Sequence, residues 1–254
     1  MPNSLFPNHP YRVAVVGAGS GIGRATAAHL ATAGVTVLCM DQDDKTTAET
    51  VASILEAGGT ADAAHCDVTD DQSVLAAAKT AESKHGQIHG LVNCAGITGK
   101  TNIKPHEVDL DDFDRVYKIN LRGAMILTKA FVPGMLKHNY GRILHIASIA
   151  GKDGNAGMAA YSATKAGLIG LVKSMGKDYA ETGITINALA PAVILTPMVE
   201  KLPQATVDYM VAKIPMKRLG SLDEVAAMIS WIVSPAASFT TAFTFDLSGG
   251  RAVY

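Results

Sequence analysis

The sequence predicts an α/β protein: a doubly wound, seven-stranded parallel sheet with helices on both faces. Three observations carry this expectation. Short, nearly continuous apolar runs alternate with helical patterns along the chain, as expected of strands buried on both faces of a parallel sheet. A glycine cluster, Gly17–Gly23, joins the first apolar run to the first helical stretch, where a phosphate-cradling turn sits in such folds. No linker, charge block, repeat or low-complexity tract divides the 254 residues. One domain over 1–254 is therefore expected, although a guide of ~150 residues per domain allows two.

Strands are expected at Arg12–Val16, Thr36–Met40, Ala61–Cys66, Gly90–Asn93, Gly141–Ser148, Thr185–Leu189 and Phe243–Asp246. Helices are expected at Gly21–Ala33, Asp44–Glu56, Asp70–Lys84, Asp111–Lys137, Ala159–Glu181 and Ser221–Val233. Asp70 stands at a capping position, and Gly34, Gly86 and Gly183 stand where left-handed helix stops are expected. Residues 1–11, with three prolines and no long apolar run, read as an N-terminal arm and not a signal peptide. Val225–Phe245 carries no charge, but Pro235 and several Ser and Thr residues interrupt it. It reads as a buried helix, a loop and a strand, not a membrane span. Residues 190–215 form the longest aperiodic segment and are expected to be a substrate lid. Trp231 and the helically spaced methionines read as core.

Composition removes several functions. Lys+Arg 22 against Asp+Glu 23 gives a net charge of −1, which is unsuited to sequence-independent nucleic-acid binding. A hydrophobic share of 48% with 18% charged residues excludes disorder. Cys39, Cys66 and Cys94 are odd in number and lack ligand spacing. They read as small buried hydrophobes in a reducing compartment, so a cytoplasmic location is expected. The eight histidines are scattered and no metal is expected. No G-x-S-x-G nucleophile elbow occurs. Gly99-Lys100-Thr101 ends like a P-loop, but the first glycine of that motif falls at Cys94.

In doubly wound sheets, ligands sit outside the carboxyl ends of the strands. The G-x-G-x-x-G pattern fails here because its last glycine falls at Ile22. G-x-x-x-G-x-G fits, with Gly17, Gly21 and Gly23, and with Ser20 and Ile22 between them. Asp41 ends the second strand near the offset of a ribose-binding acid. A carboxylate there accepts bonds from both ribose hydroxyls and repels a 2′-phosphate, by about a few kcal/mol at a separation of a few Å. Gln42, Asp43 and Asp44 follow without a basic residue, so NAD is expected over NADP. Tyr161 and Lys165, four apart, share one face of a helix. Ser148 ends a strand thirteen residues earlier. Asn120 lies inside the Asp111–Lys137 helix, where periodicity asks for no polar residue.

Read in order, Gly17-x-x-x-Gly21-x-Gly23, Asp67-Val68, Asn93-Cys94-Ala95-Gly96, Asn120, Ser148, Tyr161-x-x-x-Lys165 and Pro191…Thr196 resemble the short-chain dehydrogenase/reductase family from about Arg12 onward. The resemblance implies that Tyr161 is the general acid/base and that Lys165 lowers its pKa and bonds the nicotinamide ribose. Ser148 would hold the substrate oxygen, and Asn120 would order a water in a proton relay. Asp67 and Val68 would contact adenine. Asn93, Ala95 and Gly96 would line the adenosine ribose and strand end. Thr196 and the Ile194 backbone would bond the carboxamide. Val16, Cys94 and Ala192 depart from the family's usual Thr, Asn and Gly at loop-supporting positions.

Polar and basic loop residues suit a hydroxylated or carboxylated substrate: Thr98, Lys100, Asn102, Lys104, His106, Lys152, Asp153 and Asn155. The tail Leu247–Tyr254 is similar to tails of sugar- and sugar-acid-oxidising relatives. Lys152, or Arg251 from a neighbouring subunit, is expected to meet a substrate carboxylate. The resemblance also implies a homotetramer built through the Asp111–Lys137 and Ala159–Glu181 helices and the C-terminal strand. Two alternatives remain open at this point: a 3-oxoacyl-carrier-protein reductase-like enzyme and a non-catalytic dinucleotide sensor.

Overall fold

The computed structural model describes residues 5–7, 10–252 and 254; most of the expected arm, at 1–4, 8 and 9, lies outside the described residues. Seven strands form one sheet: β1 (Arg12–Val16), β2 (Thr36–Asp41), β3 (Thr60–His65), β4 (Gly90–Asn93), β5 (Gly141–Ile146), β6 (Ile184–Pro191) and β7 (Thr244–Leu247). All neighbours are parallel, in the order β3-β2-β1-β4-β5-β6-β7. The chain winds outward from β1 to β3, crosses back to β4 and winds outward again. The switch point between β1 and β4 opens a crevice at their carboxyl ends, where Val16 pairs with both Met40 and Asn93.

The helices are α1 (Gly21–Thr32), α2 (Asp44–Glu56), α3 (Asp71–His85), α4 (Leu110–Tyr117), α5 (Gly123–Lys137), α6 (Ala150–Asp153), α7 (Ala159–Asp178), α8 (Pro197–Glu200), α9 (Gln204–Ala212) and α10 (Leu222–Ile232). Alternation along β1 divides the core. Ala14 and Val16 pack under residues of α3, α5 and α7, including Val74, Phe131 and Leu168. Val13 and Val15 face residues of α1, α2 and α10, including Leu30, Ile54 and Ile229. Such period-two patterning buries both faces. Asp70 caps α3 through a bond from Gln72 N.

The structure departs from the sequence reading in five places. The expected 111–137 helix is broken: α4 and α5 are joined by one π-helical turn at Lys118–Arg122. The α7 helix stops at Asp178, and Gly183 is not left-handed. Gly183 instead packs against the chain, since a Cβ there would lie 1.8 Å from Asn139 O. The 190–215 segment is not aperiodic, because β6 runs to Pro191 and α8 and α9 follow. Thr196 caps α8 and Pro197 opens it, both sound helix starts. Trp231 is not core. It is 39% exposed and meets the edge of Phe245. Among the described residues, no helix is long and apolar enough to cross a membrane.

Candidate active site

The crevice is built first by glycines. Gly17 has φ +80 and Gly21 φ +51, the left-handed region that L side chains avoid. Gly17 and Ala18 donate backbone N–H to Met40 O, pinning the turn to β2. A Cβ on Gly23 would sit 2.0 Å from Gly17 O, and one on Gly17 would sit 2.8 Å from Ala95 N. Helix α1 therefore begins directly beneath the loop. Its N-cap Ser20 makes no side-chain capping bond, which leaves first-turn N–H groups for an anion.

A cleft of about 480 Å³ opens here. One wall is Gly17, Ser20, Gly21, Ile22, Gly23 and Asp41; the other includes Asp67, Val68, Ala95, Gly96 and Thr196. Val16, Gln42, Cys66, Cys94, Ile97, Ile119 and Pro197 complete the lining; the sequence reading gave none of these seven a contact there. Asn93, Ile194, Tyr161 and Lys165 do not line the cleft. Ile194 is buried and bridges to Gly220. The glycine cradle and uncapped helix start have the space and donors that a dinucleotide requires.

Asp41 is fixed by two backbone donors, Gly19 N to Oδ2 at 3.0 Å and Asp43 N to Oδ1 at 3.2 Å. This makes Gly19 a functional glycine that the motif spacing left out. A Cβ on it would lie 2.4 Å from Thr46 Oγ1 and 3.0 Å from Asp41 Oδ2. Its signal in the sequence was its place as the second of the loop's four glycines, the one outside the G-x-x-x-G-x-G set. Asp67 closes its own turn, accepting from Thr69 N and Oγ1, each at 2.8 Å.

Beyond the cleft the structure gathers Ser148, Tyr161, Lys165 and Asn120. Ser148 follows β5, Tyr161 and Lys165 lie on the first turns of α7, and Asn120 sits in the π turn. Burial raises the Tyr161 pKa above 10.0, and a hydrogen bond with Ser148 opposes the rise. The Lys165 ammonium lies 5.7 Å from the Tyr161 ring centroid and donates to Ile146 O at 2.6 Å. Burial lowers its pKa from 10.5 to about 8. The isolated chain thus holds a neutral phenol beside a lysine near its titration point.

Asn120 accepts from Ile97 N at 2.8 Å and donates to Ile97 O and Thr164 Oγ1 at 2.9 and 3.2 Å. A Cβ on Gly96 would stand 3.3 Å from both Asn120 Oδ1 and Lys165 Nζ, so the bare glycine keeps a gap open between them.

Asn93 belongs to a buried polar chain. It accepts from Ala95 N at 3.1 Å and lies 3.2 Å from His145 Nδ1, while His145 Nε2 lies 3.1 Å from Thr128 Oγ1. Thr128 donates to Ala124 O, so Nε2 carries the proton and Nδ1 accepts from Asn93. Burial lowers the His145 pKa to about 3. His145 thereby fixes Asn93, which in turn holds Ala95 in the cleft lining. Only a histidine inside an apolar strand run hinted at it.

Lys152 and Arg251 are brought together away from the cleft lining. Lys152 Nζ donates to Asp246 Oδ2 at 2.8 Å. Arg251 donates to Asn155 Oδ1 at 2.8 Å and pairs with Asp153 at 3.4 Å. Cys39 and Cys66 are buried, Cys94 is partly buried, and all three are free. Burial raises each thiol to about 12.

A family model described as "Enoyl-(Acyl carrier protein) reductase" matches residues 17–251. The chain belongs to the short-chain dehydrogenase/reductase family. A 2-dehydro-3-deoxy-L-rhamnonate dehydrogenase (NAD(+)) of Sphingomonas sp. is 45% identical over 243 residues, 94% of each chain. A 3-oxoacyl-[acyl-carrier-protein] reductase of Synechocystis sp. is 40% identical over 242 residues, 94% of this chain and 96% of its own. A crystal structure of actinorhodin polyketide ketoreductase with NADPH superposes with a TM-score of 0.90 at 31% identity, covering 96% of this chain and 98% of its own. The crystal structure of gox2181 gives 0.94 at 30%, covering 99% and 98%. As a member of this family, the protein is an oxidoreductase acting on CH–OH or ketone groups with a nicotinamide cofactor.

Two outcomes follow from the packing. Gly23→Ala will abolish nucleotide binding by calorimetry, because the methyl has only backbone to displace. In nucleotide-free protein, Lys165→Met will raise unfolding free energy at pH 7 by about 3 kcal/mol while removing turnover. The native pKa of about 8 lies below the ordinary 10.5, so burying the charge costs stability below pH 8. That cost shrinks as pH rises from 8 to 10.5, and the advantage of methionine will vanish over the same range in urea titrations.

Proposed function

We propose that the protein is an NAD(H)-dependent dehydrogenase of a polar secondary alcohol, such as a sugar, a polyol or a keto-deoxy sugar acid. The observation that carries this reading is Ser148, Tyr161 and Lys165 gathered beside a cleft whose ribose end is held by Asp41. When bound, the nicotinamide ring takes or gives the hydride. Gly17, Ser20, Gly21, Ile22 and Gly23 would cradle the pyrophosphate, and Asp41 the adenosine ribose. Asp67 and Val68 would meet adenine, Ala95 and Gly96 would line the adenosine ribose, and Asn93 would brace them from behind. Ile194 and Thr196 would meet the carboxamide.

Ser148 Oγ orients the substrate oxygen toward Tyr161. The Tyr161 hydroxyl takes the alcohol proton during oxidation and returns it during reduction. Its phenol must be lowered by ~3 units, about 4 kcal/mol, to act as a base near pH 7. Burial opposes this, so the cationic form of Lys165 has to be held while the phenol titrates. The Ile146 carbonyl, 2.6 Å from the ammonium, favours that form. Asn120 would order a water in the gap at Gly96, through which the proton would pass outward from Lys165.

NAD is supported by Asp41, by Gln42-Asp43-Asp44 without a cation, and by the named cofactor of the Sphingomonas relative. A sugar acid is supported by that relative's name and by the polar loops. Lys152 and Arg251 already hold carboxylates of the same chain, so a substrate carboxylate reaches either cation directly only by displacing Asp246 or Asp153. A 3-oxoacyl-carrier-protein reductase is the second reading, favoured by the Synechocystis relative. A cytoplasmic homotetramer is supported by three free thiols and by exposed Leu110, Tyr117, Met125 and Leu136 on α4–α5 and Phe243 beside β7.

A panel of sugar acids, polyols and acyl thioesters, followed at 340 nm with NAD and NADP, tests the reading. A sugar acid or polyol with NAD is expected to give the highest kcat/KM. Tyr161→Phe is expected to lower kcat by about 10³-fold or more with nucleotide affinity kept. Preference for an acyl thioester with NADPH would establish the second reading instead. Nucleotide binding without turnover of any alcohol or ketone would mark a sensor.

A further inference from the structure

We infer that the C-terminal tail is a positioning device: Arg251 and Tyr254 clamp the loop between Ser148 and Tyr161 and so set which alcohol the site accepts. The inference rests on the reading of Ser148 and Tyr161 as the reacting pair.

That loop is the covalent bridge between the two residues, and it has little structure of its own. After the four-residue α6 it turns through Gly154 at φ +69 and Gly157 at φ +75. Past α6 its internal bonds join Asn155 and Met158, and the tail adds anchors from outside. Arg251 holds the Asn155 side chain at 2.8 Å and Asp153 at 3.4 Å. The Tyr254 hydroxyl donates to Lys152 O at 2.6 Å. Lys152 donates in return to Tyr254 O and to Asp246 on β7. The Lys152 and Arg251 side chains are only 7% and 10% exposed, so their bonds to Asp246, Asn155 and Asp153 are partly shielded from water and are stronger than surface pairs; the two Tyr254 bonds are exposed.

The clamp reaches the reacting groups through one further bond. Asn155 N–H donates to Ser162 Oγ at 3.0 Å, and Ser162 adjoins Tyr161 at the start of α7. On its other side the loop abuts the segment after β4: a Cβ on Gly157 would lie 2.9 Å from Asn102 Cα. Tail, loop and post-β4 segment therefore form one wall. Among the described residues, none of 150–158, 248–252 or 254 lines the cleft proposed for the nucleotide. Loosening the tail must change substrate binding while leaving nucleotide binding alone, which a general loss of folding cannot do.

The experiment uses the full chain with Arg251→Gln, Arg251→Lys and Tyr254→Phe, read in three ways. These are amide hydrogen exchange over 150–158, NAD affinity by fluorescence, and kcat and KM for the panel compound that the parent turns over best. Faster exchange confined to this loop, unchanged NAD affinity and a KM raised about tenfold in Arg251→Gln are expected. The rise will be smaller in Arg251→Lys, which keeps the charge near Asp153, and in Tyr254→Phe. Unchanged exchange over 150–158 overturns the clamp. So does an unchanged KM, or a KM that moves together with NAD affinity. If the parent turns over nothing in the panel, the proposed function fails, and the exchange arm alone decides the clamp.

Discussion

A lysine ammonium buried behind the cofactor cleft is the constraint around which the rest of the site is arranged. Taking that charge from water is unfavourable, and one carbonyl, Ile146 O, receives it directly. Three elements must then meet at one point: the end of β5, the first turns of α7 and the bare backbone at Gly96. The parallel sheet brings them together because β4 and β5 are neighbours and α7 packs beneath them. The site is thus a property of the sheet order, with Tyr161 and Lys165 on a rigid helix and the proposed substrate wall on loops.

The π turn between α4 and α5 serves the same point. A five-residue turn widens the helix and redirects the side chain inside it. Asn120 then bonds both the Ile97 backbone and Thr164, tying the segment after β4 to α7. A regular helix through 111–137 would have kept the hydrophobic stripe and aimed position 120 elsewhere. A local irregularity therefore stands where the chemistry is, as helix defects often do.

Strand and helix positions were legible because burial imposes periods of 2 and 3.6 on the sequence, and strand ends shifted by no more than about two residues. The cleft wall was legible because its glycines and Asp41 follow strands directly. What was hidden depends on contacts distant in sequence. The π turn leaves apolar spacing on either side unchanged, so Lys118–Arg122 looks helical. Gly183 resembles a helix stop, yet it is small because Asn139 lies against it. His145 looks like a polar intruder in a strand until Asn93 and Thr128 are placed beside it. Lys152 and Arg251 looked free for a ligand because their acidic partners, Asp246 and Asp153, lie about 100 residues away across the sheet.

The bond from Gly19 N to Asp41 bears on how such a protein could change its coenzyme. The carboxylate proposed to face the ribose also anchors the glycine loop proposed to face the phosphates. Replacing it with a small neutral residue removes the charge but leaves two backbone donors, on Gly19 and Asp43, without their acceptor. A side chain at position 19 is blocked meanwhile by Thr46. On the proposed NAD reading, adaptation to a phosphorylated nucleotide is therefore a coupled problem: a new acceptor must appear, and Thr46 must shrink, before a basic residue can enter at position 19.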